Sequence, residues 1–227
     1  MELLHSFLIV ISLFFSPPDK NDKITGTKLD EQQQLRLSAA FNQVYGIAEN
    51  QRIVDYLAEA DASLVFRMGN QMANPGAYDR ANKVVYFRKE QDINYHVLLE
   101  ELFHAYQDQV ISIGTDHFDQ AHINIEFEAK LYSDIIQMKY TDYLVGELGL
   151  PLLILGSSSE DYISWIGNIT EGHTTYPTWN EMKSRYYEFL EEFSNEKTAY
   201  GTAIDLKDQP ISLFSVFNPD TLIMSRK

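Results

Sequence analysis

At 227 residues, 44% of them hydrophobic, the chain is long enough to bury one sizeable core. Its formal charge of −15, from 33 acidic against 18 basic side chains, opposes approach to phosphate, so neither nucleic acid nor anionic lipid is an expected partner. Cysteine is absent, which excludes disulfides, thiolate metal sites and cysteine nucleophiles and leaves any metal to His and carboxylate ligands.

The chain opens "MELLHSFLIVISLFFSPPDK", with an apolar run from Phe7 to Phe15 interrupted at Ser12. A bilayer span needs ~20 residues, so no transmembrane segment is expected. The run has the length of an export-signal core, but Glu2 stands where a basic residue belongs and no Ala-x-Ala site follows. Export and a cytoplasmic location both remain open. Residues 1–18 read as a separate apolar segment, 19–30 as a polar linker and 31–227 as a single domain.

Asp30 and Gln33 have the spacing of a capping box, and the apolar stripe after them predicts a helix over 31–50, with a second over 53–60. "SLVFRM" at 63–68 and "KVVYFR" at 83–88 are β-branched and aromatic, hence strands, separated by a loop with a Pro75-Gly76 turn. A long helix over 91–111 follows, then a loop carrying His117 and His122, and a helix over 121–143. "GELGLPLLILGSSSED" reads as an apolar loop, 160–169 as a short helix, and Thr178 with Glu181 as a capping box opening a helix to 193. The tail "ISLFSVF" has strand-like composition. The expected fold class is α+β, a small antiparallel sheet packed on a long central helix with further helices around it.

The central helix carries the chemistry. In "HVLLEELFHAYQ", residues 96–107, Glu100 and His104 stand four apart and share a face, with His96 one turn earlier. Val97, Leu98, Leu99, Leu102, Phe103, Ala105 and Tyr106 leave almost no polar side, so the helix is buried. Buried His96, Glu100, Glu101 and His104 then need partners, a metal or a wet cleft. His96 and His104 lie about 12 Å apart along the axis at ~1.5 Å per residue, too far to bind one ion.

"EELFHAYQ", followed 22 residues after His104 by "EFEAK", resembles the gluzincin branch of the zincin metallopeptidases. That pattern is H-E-x-x-H on one helix and a Glu on the next, and the resemblance covers about residues 60–137. It implies a zincin-like fold with Glu101 as general base, His104 as a metal ligand and Glu100 where the first ligand His stands. It further implies a third ligand from the next helix, zinc or another divalent metal, and a peptide or protein as substrate or partner. A carboxylate at 100 favours harder ions such as manganese or iron relative to zinc. An edge strand just before the active helix binds extended peptide in that family, a role that would fall to "KVVYFR".

Glu126 and Glu128 are separated by ~200° around a helix, so only one can face such a site. Hydrophobic periodicity favours Glu128; the family register favours Glu126, with Ala129 and Ser133 forming a small-residue stripe beside it. Glu126 is the expected ligand and Glu128 its alternative. His96, His117, His122 and His173 are left as residues of a surrounding cleft. Two functions follow: a degenerate zincin-like protein that has lost zinc hydrolysis and serves as a peptide-binding or interaction module, or an active metallopeptidase using Glu100, His104 and Glu126 as ligands and Glu101 as base.

Overall fold

The computed structural model describes residues 26–60, 62, 64–111, 122–156, 159–172, 174–196 and 210–218. Residues 1–18, most of the expected linker, His117 and His173 lie outside them. The chain divides into two compact units, the first ending at residue 112 and the second beginning at 113. The architecture is α+β, with a small mixed sheet and a majority of helix.

In the first unit, β1 (Gly26–Lys28) lies inside the stretch expected as linker, because its backbone pairs antiparallel with β2 (Val65–Gly69). Helix α1 (Glu31–Tyr45) starts at the expected capping box, in which Asp30 Oδ1 accepts from Gln33 N at 2.9 Å and Gln33 Oε1 accepts from Asp30 N at 3.0 Å. It stops at Gly46 instead of running to 50. Ile47 is extended, and α2 (Ala48–Glu59) begins immediately, five residues before the expected start. The break lets each helix turn its own face inward, Phe41 and Val44 from α1 and Ile53 and Leu57 from α2.

The sheet is mixed, not antiparallel as expected. Its order is β1-β2-β4-β3, with β2 and β4 (Val84–Phe87) parallel and the outer pairs antiparallel. β3 (Gly76–Asp79) comes from the expected loop, a short strand whose composition carries no strand signal. It takes the edge position, so "KVVYFR" is an inner strand with a neighbour on each side and cannot add a peptide. Asp79 Oδ1 accepts from Ala81 N and Asn82 N at 3.0 and 3.2 Å, and Lys83 turns back into β4 with a left-handed φ of 55°.

A 3₁₀ turn (Glu90–Asp92) leads into α3 (Tyr95–Gln109), shorter at its start than expected because Asn94 caps it. The Asn94 side chain accepts from His96 N and Val97 N at 3.1 and 3.2 Å. Helices α1 and α2 and strand β3 all pack on α3. Phe41 meets Phe66 edge-on at 5.6 Å, Phe66 stacks on Phe87 at 6.3 Å, and Tyr56 stacks on Tyr106 at 5.7 Å. These contacts hold α3 as the buried spine of the unit.

In the second unit, α4 (His122–Lys139) is buried along nearly its whole length and gives way to a π-helical turn (Asp142–Glu147). After an irregular apolar stretch come α5 (Glu160–Ile169), with its predicted bounds, α6 (Trp179–Glu196) and α7 (Ile211–Phe217). The Thr178 box is present in part: Glu181 Oε2 accepts from Thr178 N at 2.7 Å. "ISLFSVF" is helix, not strand. Leu213, Val216 and Phe217 recur at helical spacing and are all buried, and Phe217 stacks on Tyr132 of α4 at 5.5 Å; burial on one stripe outweighs a weak β preference. Phe127 packs against Tyr186 and Phe193 of α6, and Trp165 against Phe189. Among the described residues no helix is long and apolar enough to cross a membrane.

Candidate metal centre

Helix α3 presents its acidic residues in two directions. Glu100 and His104, one turn apart, share a face; His104 is 6% exposed and Glu100 partly exposed. Glu101 points ~100° away and is buried at 4%. It sits against the edge strand: a Cβ placed on Gly76 would come 2.6 Å from Glu101 Oε1 and 2.5 Å from Val97 Cγ1. Gly76 is therefore more than the turn residue its Pro75-Gly76 context suggested. Its missing side chain is the space the Glu101 carboxylate occupies.

The register between β3 and α3 is pinned at the far end. Tyr78 OH donates to Asp108 Oδ2 at 2.7 Å, Gln109 Nε2 donates to Tyr78 OH at 2.9 Å, and Lys83 forms an ion pair with Asp108. Burial, then the Asp108 carboxylate beside it, push the Tyr78 phenol well up, so it stays a donor at any physiological pH. At the start of α3, Asn50 Nδ2 donates to Tyr95 OH at 3.1 Å. His104 has a partner of its own: Gln107 Oε1 lies 2.9 Å from its Nδ1.

Helix α4 separates the two glutamates that sequence left open. Glu128, buried at 5%, accepts from Leu213 N at 2.7 Å and thereby holds the first turn of α7. Glu126 points elsewhere, its side chain 12% exposed and its Oε1 3.2 Å from His122 Nε2 one turn earlier. Within the first unit, a carboxylate oxygen of Glu100 and a ring nitrogen of His104 lie within 4.8 Å of one another on α3. His96, buried with its ring edge-on to Tyr95 at 5.2 Å, lies outside this pair.

Both donors are of types that hold a divalent ion, and two metal–ligand bonds of about 2.1 Å span at most about 4.2 Å, so small side-chain adjustments suffice for this pair. An imidazole with carboxylate forms a harder set than the usual zinc ligands.

Sequence reasoning missed the roles of Gly76 and Gln107 in the first unit and of Asp134 in the second. Asp134 of α4 is fully buried and accepts from Leu155 N at 2.7 Å, Gly156 N at 2.8 Å and Tyr162 OH at 2.8 Å. Burial pushes its carboxyl up to about 7, against the opposing pull of these donors and of the Lys130 charge. One turn on, Gln137 Oε1 accepts from Leu153 N at 2.8 Å. The available signal was an acid and an amide on either side of the apolar pair Ile135-Ile136 in a helix with few exposed positions. Compared with known proteins, the sequence matches no family model and no curated protein, and the fold matches no solved structure.

Proposed function

We propose that this chain is a zincin-like, metal-dependent hydrolase acting on peptide bonds, in which Glu100, His104 and Glu126 hold the ion and Glu101 is the general base. The observation that carries the reading is the pairing of Glu100 and His104 on one face of α3, a carboxylate oxygen and a ring nitrogen within 4.8 Å, one residue away from the buried Glu101 carboxylate; Glu126 as third ligand rests on the resemblance of the sequence pattern. A divalent ion there would supply Lewis-acid polarisation of a carbonyl and a lowered pKa for water.

The residues supply the rest. Glu101, held in the space left by Gly76, takes the proton of the attacking water and can return it to the leaving amine. β3 is the edge strand, and its outer backbone groups suit an extended peptide laid antiparallel beside it. The peptide role moves from "KVVYFR" to Gly76–Asp79. Glu100 as a ligand in place of the expected His preserves a site with a different metal preference.

Metal analysis of protein purified without chelator tests this. The expected result is one ion per chain in the wild type, manganese or iron included, lost in His104→Ala. Metal-free wild type that takes up no added zinc or manganese would sink the reading and leave a zincin-like interaction module. Zinc uptake only by Glu100→His would mean that the scaffold kept the site and lost the ion.

A further inference from the structure

We infer that Gln107 is a positioning residue for the proposed metal site, fixing the tautomer and ring plane of His104. The inference rests on the metal-site reading above. An imidazole binds a metal through a bare nitrogen, so its proton must reside on the other one. Gln107 Oε1 lies 2.9 Å from His104 Nδ1. An amide oxygen only accepts, so Nδ1 carries the proton and Nε2 is the nitrogen left for the ion.

The placement follows from helix geometry. Residues 104 and 107 stand three apart on α3 and so face the same side. Gln107 is 0% exposed, which removes bulk water as a competing donor or acceptor. An acceptor fixed on Nδ1 favours the tautomer that leaves a lone pair on Nε2, where the ion requires one.

Charge explains why the acceptor is an amide. The proposed ligand set already includes the carboxylates Glu100 and Glu126, with Glu101 next to Glu100 in sequence. Another carboxylate against His104 would add to the mutual repulsion of these acids before an ion arrives. Glutamine offers the same oxygen at the same reach without the charge.

The test measures zinc affinity by competition against a chromophoric chelator, alongside the ring ¹⁵N shifts of His104 in metal-free protein. Gln107→Leu keeps the volume and removes the acceptor, and binding is expected to weaken by ~10–100-fold. Gln107→Glu keeps the acceptor and is expected to restore most of that affinity. Equal zinc affinity in wild type and Gln107→Leu overturns the inference while the metal site stands. Failure of the wild type to bind either zinc or manganese removes the metal-site reading instead, and the shifts then decide on the wild type alone. A proton on Nδ1 supports the hold by Gln107; a proton on Nε2 overturns it, whether or not Gln107→Leu folds.

Discussion

Helices α3 and α4 are both buried and both carry acids among apolar side chains, yet they use those acids differently. On α4 the buried acids are committed to backbone: Glu128 to Leu213 N, Asp134 to Leu155 N and Gly156 N. On α3, Glu100 shares a face with His104, both with donors of metal-binding type, and Glu101 faces a strand edge across a glycine. The buried acids of α4 fix main chain, whereas those of α3 sit beside a histidine and a strand. Within α4, Glu128 anchors α7 while Glu126 lies beside His122.

Substitutions at matched positions can break this contrast. Glu101→Gln is expected to reduce peptidase activity by ~10²–10⁴-fold while leaving metal content and unfolding midpoint unchanged. A fall in metal content as well would place Glu101 among the ligands. On the other helix, Asp134→Ala strands three buried donors, and urea unfolding should show a loss of about 3–5 kcal/mol. Metal affinity per folded molecule should stay constant; loss of both together would mean that α4 makes no division between anchoring and ligation.

The sharpest comparison is between neighbours. Glu128→Gln weakens a charge-assisted bond to Leu213 N and should cost about 1–2 kcal/mol of stability with metal binding intact. Glu126→Gln should weaken metal binding with little change in stability. The reverse pattern would restore Glu128 as the ligand that hydrophobic periodicity favoured.

The smallest expected effect is one of pH. Asp134 titrates at about 7 in the folded chain against an ordinary value of 3.8, so the folded state binds more protons between those limits. The stability this group contributes is complete below about pH 4 and is lost as pH rises through about 7. Urea midpoints of wild type should fall across that window relative to Asp134→Asn, whose curve should be flatter. A wild-type midpoint that rises instead would show that the three donated hydrogen bonds outweigh burial.

Much of the helical content was legible because apolar spacing and caps are local. Asp30 with Gln33 opened α1 where expected, and α5 has its predicted bounds. The proposed ligand pair Glu100 and His104 was legible for the same reason, since residues four apart on a helix share a face whatever surrounds it. The edge strand was not legible. Nothing in "GAYD" favours extended structure over turn; pairing with β4 and the Tyr78 bond to Asp108 decide it.

What the sequence determined by itself was the set of groups able to do chemistry: no thiols, few histidines, and a helix with acids at 100 and 101 and a histidine at 104. Tertiary structure alone decided which acid does which job. The ~200° between Glu126 and Glu128 is a property of any helix, but which of the two meets the Leu213 N–H depends on what packs there. That is a long-range outcome, because a carboxylate's role is set by the donor placed opposite it, and Leu213 is 85 residues from Glu128 in the chain.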